Sequence, residues 1–165
     1  MLTDQEREMF ALKVMEEVRR WPGVELRPHA SHPSDPDLAD GVEFRLFGRQ
    51  IGHVHNNCAV HLTLTKALKE SIIKENLAEA LAIAPTSGWT MFNPMRLDDA
   101  ERVIWLLRLN YVRLRRQRLT PLAASSSDLV QHHEAALGTV SASITKLLQR
   151  TQLRRRPRPL PSLEA

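Results

Sequence analysis

The chain has 165 residues, 42% of them hydrophobic, and a formal net charge of +4 at pH 7. That suits one globular domain with its own core, and no run of about 18 apolar residues exists to span a bilayer. The charge is uneven: residues 113–165 hold ten basic and three acidic groups, which leaves residues 1–112 slightly acidic, so whole-chain basicity argues poorly for nucleic-acid binding.

The start, Met1 to Glu6, lacks the basic and apolar stretches of a secretory signal. The single cysteine, Cys58, cannot form an internal disulfide. Both features lead to the expectation of a cytoplasmic protein.

Thr3 or Asp4 can cap a first helix whose apolar stripe is Phe10, Val14 and Val18. Trp21-Pro22-Gly23 stops it, and Val24-Glu25-Leu26 begins a strand. Pro28 to Asp40, with Pro28, Pro33 and Pro36, reads as a loop. Val42-Phe44-Leu46 then alternates with Glu43-Arg45-Phe47, the period of a strand. Ile51 to His55 is a second strand of this unit. A third carries Val60, Leu62 and Leu64 on one side and His61, Thr63 and Thr65 on the other. Short connections make the three an antiparallel meander. A helix over 66–77 follows, with Leu68, Ile72, Ile73 and Leu77 inward. Thr86-Ser87-Gly88 turns the chain, and Trp89 to Phe92 is a further strand. A strong helix runs from about Asp98 to Arg116, with Asp98, Asp99 and Glu101 in its first turn and Arg113, Arg115 and Arg116 in its last. Its stripe is Ala100, Val103, Ile104, Leu107, Tyr111 and Leu114. Beyond Pro121 comes a small-residue linker, then one helix over Asp128–Arg150, weakened by Gly138. His132-His133 on that helix is expected to be solvated.

The pattern predicts an α+β fold. An antiparallel β-meander is covered on one face by helices, a two-layer sandwich, with a C-terminal helical extension and a basic tail. The compact domain is expected over residues 1–120, the linker and helix over 121–150, and disorder over 151–165.

Strand parity singles out the histidines. His53 and His55 leave the same face of a strand. If Asn56-Asn57-Cys58 is a three-residue loop, His55 pairs with Ala59 and His53 with His61, and three imidazoles share a face while Val54 joins the apolar set. A one-residue slip sends His61 to the other side. The preceding turn has two readings. A three-residue loop, Gly48-Arg49-Gln50, sets Arg45 opposite His53 and Glu43 opposite His55. A two-residue loop sets Phe44 opposite His53. Under the first, Glu43, Arg45, His53, His55 and His61 form one catalytic face suited to acid–base work near neutral pH. Arg49, Trp89 and Trp105 are candidate substrate contacts, Trp105 lying one residue off the inner stripe of its helix. No cofactor is expected. A metal on His53, His55 and His61 is the lesser expectation, because His-x-His is a common spacing and no acidic ligand is sure to complete it. Histidines on a half-exposed sheet face are also often only structural.

Several ordered motifs carry a resemblance. Glu43-Phe44-Arg45, Gly48-Arg49-Gln50-Ile51-Gly52-His53-Val54-His55, His61-Leu62, Pro85-Thr86-Ser87-Gly88-Trp89, Asp98-Asp99-Ala100-Glu101 and Leu106-Leu107-Arg108-Leu109-Asn110-Tyr111 resemble the luciferase-domain family, named from fungal luciferases. The match spans about residues 41–115. The resemblance implies a cofactor-independent oxygenase-like activity. Fungal luciferases oxidise a hydroxylated α-pyrone with molecular oxygen and emit light, a step thought to need neither flavin nor metal. The membrane-anchoring N-terminal segment of those enzymes is not expected in this chain. No residue role is carried over; the histidines and Trp89 stand as motif positions.

Two functions follow as expectations. In one, an aromatic or enolic small molecule lies over the histidine face; His53 or His61 takes a proton, and Arg45 or Arg49 faces the anion. In the other, a non-catalytic module contacts a protein or nucleic acid through the basic C-terminal region. No membrane partner is expected, nucleic acid is the lesser partner, and the C-terminal helix is a candidate dimerisation element.

Overall fold

A capping box opens the first helix, α1 (Asp4–Val18). Thr3 Oγ1 accepts from the Glu6 N–H, while the Glu6 carboxylate accepts from the Thr3 N–H at 2.8 Å. The predicted stripe Phe10, Val14 and Val18 is fully buried. The structure is a computed structural model and describes residues 1–32, 35–119, 123 and 127–150. The basic tail and most of the linker around Pro121 lie outside the described residues.

Among the described residues, six antiparallel strands form one open sheet. They are β1 (Val24–His32), β2 (Asp35–Leu46), β3 (Arg49–Val54), β4 (Val60–Thr63), β5 (Glu79–Ala80) and β6 (Trp89–Phe92), in the order β1-β2-β3-β4-β6-β5. The predicted meander is therefore its middle. The loop expected from Pro28 to Asp40 is instead mostly a ribbon, with Pro28 opposite Val42 and Ala30 opposite Ala39. Pro28 is accommodated because β1 is an outermost strand and its register shifts on both sides of Ala30. Gly41, at φ +103°, is required where β2 passes β3: a Cβ there would stand 1.9 Å from the Val54 carbonyl oxygen.

The β2–β3 hairpin matches neither sequence alternative. Its loop is Phe47-Gly48, both at positive φ, so Leu46 pairs with Arg49 and Arg45 with Gln50. Such a turn follows the twist of the strands. One extra residue, Ile51, is then inserted in β3, so Phe44 pairs with Gly52 and Glu43 with His53. This β-bulge places Gln50 and His53 on one face despite their odd separation. The β3–β4 connection is the three-residue loop. The His55 N–H donates to Ala59 O and the Cys58 N–H to His55 O, both at 2.9 Å, and His53 pairs with His61.

α2 (Lys66–Lys74) is capped by Thr65 and buries Leu68 and Ile72. Its buried Lys69 donates from Nζ to Pro85 O at 2.8 Å and Ser87 O at 3.0 Å, closing the turn that leads into Trp89. α3 (Asp99–Arg118) buries the whole predicted stripe, and also Leu106, Leu109, Asn110, Val112 and Arg113. The extra burial arises because α3 is packed on several sides by α1, by β3 and β4, and by two C-terminal helices. These are α4 (Asp128–Ala135) and α5 (Ala142–Arg150), where the sequence suggested one helix. The break holds Gly138, at φ +64°. His133 is buried rather than solvated, against Trp21 and Tyr111, while His132 is exposed.

The result is an α+β two-layer arrangement. Phe44, Leu46, Ile51, Val54, Val60 and Leu62 face a single core shared with the helices. Among the described residues, no helix is long and apolar enough to cross a membrane.

Candidate functional site

Alternation along β2, β3, β4 and β6 sends the residues between these core positions to the opposite face of the sheet. Glu43 lies opposite His53, His53 opposite His61, His61 opposite Met91, and Thr63 opposite Trp89. Four imidazoles gather on this face: His29 from β1, His53 and the adjoining His55 from β3, and His61 from β4.

Three of their nitrogens meet. His53 Nε2 is 3.0 Å from His55 Nε2 and 3.1 Å from His61 Nδ1, and the last two are 3.2 Å apart. The rings stand at 70–83° to one another. The His29 ring stacks on His53, with centroids 3.7 Å apart and planes 13° from parallel. Ligand-type nitrogens of His29, His53 and His55 all fall within 4.8 Å of one another.

Carboxylates and an amide support the triangle from behind. His55 Nδ1 lies 2.7 Å from Asp40 Oδ2, so a proton sits on Nδ1 and Nε2 faces inward. Gln50 Nε2 lies 2.9 Å from His53 Nδ1 and donates to Glu43 Oε2 at 3.1 Å. Arg45 Nε holds Glu43 Oε1 at 2.6 Å, and its guanidinium also donates to Gly48 O.

His53 is only 4% exposed. Burial, reinforced by the neighbouring imidazoles, pushes its pKa down to about 3, and that of His61 to about 4. Burial lowers His29 as well. The hydrogen bond with His55 holds Asp40 below the usual carboxylate range. Near pH 7 His29, His53 and His61 are therefore neutral, each with a lone pair to give to a proton, a hydroxyl or a cation.

The structure thus brings Glu43, Arg45, His53, His55 and His61 together on one face. Trp89 joins them, half-buried, with its ring 5.6 Å from that of His53. Arg49 and Trp105 stand apart. Arg49 is exposed and donates to Gln117 Oε1 at 3.1 Å. Trp105 belongs to the helical layer and donates from Nε1 to Leu137 O at 2.8 Å.

Sequence reasoning missed three contributors. His29 and Asp40 fell in the stretch read as loop, although Glu25, Arg27 and His29 do alternate with period two. Gln50 is an odd number of residues from His53, which on a regular strand puts them on opposite faces; only the bulge unites them.

Residues 48–110 match the family model of the luciferase domain. The matched stretch holds His53, His55, His61 and Trp89, so the resemblance to that family falls on the histidine hairpin itself. No curated protein and no solved structure matches the chain.

Proposed function

From a chain that carries a luciferase-domain segment over its histidine hairpin, we propose an enzyme that binds a small aromatic, enolic molecule on this face and acts on it in an oxygenase-like reaction. The observation that carries the reading is the convergence of three imidazole nitrogens within 3.0–3.2 Å beside an indole ring. An enolic hydroxyl laid over the triangle donates to an inward nitrogen. A flat ring system finds an apolar neighbour in Trp89. Arg45 supplies a cation on the same face for the enolate that forms on proton loss. Electron-rich enolates are the class of anion that reacts with molecular oxygen directly, which agrees with the resemblance.

Calorimetric titration of the full chain with a hydroxylated α-pyrone tests this. Binding is expected in the parent protein and absent in His53→Ala, with circular dichroism unchanged, and oxygen consumption should follow the same order. Equal affinity in the variant rejects the reading.

A further inference from the structure

The spacing of the three inward nitrogens is that of a metal-ligand set. At the usual metal–imidazole distance of about 2.0–2.1 Å, a triangle with sides of 3.0–3.2 Å gives N–metal–N angles of about 98°. That value lies between the octahedral and tetrahedral angles. The rings also point the right way. Three imidazoles radiating from one ion at that angle, each centre about 1.1 Å behind its nitrogen, would have centroids about 4.8 Å apart. The observed separations of His53, His55 and His61 are 4.6, 4.6 and 4.9 Å.

We propose that His53 Nε2, His55 Nε2 and His61 Nδ1 bind one divalent first-row transition metal ion of the zinc type, leaving at least one coordination position open. This names what the triangle holds, and it rests on the preceding reading that this face is the functional one.

Hydrogen bonding alone serves the triangle poorly. Any proton on one of these nitrogens lies between two acceptors at nearly equal distances, and a straight bond to one turns it from the other. A cation at the common focus meets all three lone pairs together. The supporting groups fit as well. Asp40 on His55 Nδ1 is the carboxylate–histidine–metal arrangement that fixes tautomer and ring orientation.

Donor chemistry narrows the ion. Three neutral imidazoles suit zinc, cobalt, nickel, copper or iron(II), whereas calcium and magnesium require oxygen ligands. No thiolate takes part, since Cys58 is buried elsewhere with its Sγ on Arg7 O. Asp40 and Glu43 lie close enough to offset the charge brought in. Three protein ligands with an open position is the pattern of catalytic rather than structural zinc. An enolate oxygen of the proposed ligand class is suited to that position.

The test uses the full chain, stripped with a chelator that is then removed. Cobalt(II) is added and followed by its visible absorption, and zinc(II) by calorimetry. Saturation at one equivalent is expected. His53→Ala and His61→Gln should each abolish it, and Asp40→Asn should weaken it by about 10–100-fold. The exposed His132→Ala serves as an unaffected control. Absence of binding to the folded parent protein overturns the proposal, as does equal binding by both ligand variants. The pyrone titration, run with and without chelator, separates the two readings. Pyrone binding to a protein that takes no metal overturns only the metal site. Metal binding without pyrone binding overturns only the aromatic ligand.

Discussion

Asn110 on α3 donates its amide to the carbonyl of Ile51 at 2.6 Å, and Ile51 is the residue that the β3 bulge leaves without a ladder partner. The same amide donates to Thr63 O at 3.1 Å, while Asn110 Oδ1 accepts from Arg113 Nε at 2.7 Å. The neighbouring Gln50 carbonyl accepts from Thr63 Oγ1 at 2.5 Å. The irregularity that aligns Gln50 with His53 is therefore held from the core side by a buried polar group.

Asn110→Leu should accordingly unsettle the site as well as the fold. It leaves the Ile51 carbonyl and the Arg113 guanidinium short of partners in a buried setting. A loss of about 2–4 kcal/mol is expected in urea denaturation. Histidine ring resonances should broaden under native conditions. A midpoint equal to that of the parent protein would remove the bulge-locking role.

Gly52→Ala tests how closely β3 and β4 approach. A Cβ at that position meets His61 O at 2.7 Å and Leu107 Cδ2 at 2.9 Å. The backbone contact cannot relax by a rotamer change, so His53 and His61 should part slightly. A stability loss of about 1–3 kcal/mol is expected, with weaker ligand binding than in the parent protein. A neutral substitution would show the sheet more compliant than this packing implies.

Asp40→Asn leaves the shape and changes the proton. An amide N–H turned toward His55 Nδ1 would select the other tautomer and direct the ring proton inward. Long-range proton–nitrogen NMR should show the Nδ1–H tautomer of His55 in the parent protein and its loss in the variant. The same tautomer in both would mean that Asp40 does not set it.

His133 gives a pH signature in the helical layer. It is 4% exposed, its Nδ1 has no partner among the described residues, and its ring lies 4.5 Å from that of Tyr111. Burial first, then the charge of Arg108, pushes its pKa from 6.5 down to about 4, with His132 and Arg115 acting the same way and Glu17 opposing. The unfolded chain therefore binds a proton between about pH 6.5 and pH 4 that the folded chain refuses. This contribution is complete above pH 6.5 and is lost as pH falls toward 4. His133→Leu should flatten the stability profile in that window by on the order of 1–2 kcal/mol, solvent screening having reduced the full effect. Parallel profiles for variant and parent protein would rule this out.

Much of this layout was legible from the residues. The stripes of α1 and α3 and the parity of His53, His55 and His61 follow from periodicity, and the loop at Asn56-Cys58 follows from keeping Val54 among the apolar residues. What stayed hidden was non-periodic. Pro28 stays within β1 because an edge position excuses a missing donor, which composition does not reveal. The bulged Ile51 takes its hydrogen bond from Asn110, 59 positions away, and no local pattern announces it. His29, Asp40 and Gln50 went unnoticed for these two reasons.

The position of His29 has a consequence of its own. Its strand is outermost and irregular in register, while His53, His55 and His61 belong to the hairpin at the centre of the sheet. Edge strands open locally at lower free energy than the middle of a sheet. The site thus rests three rings on the central hairpin and a fourth on an edge strand, so local opening of β1 would unstack His29 from His53 before it disturbed the other three.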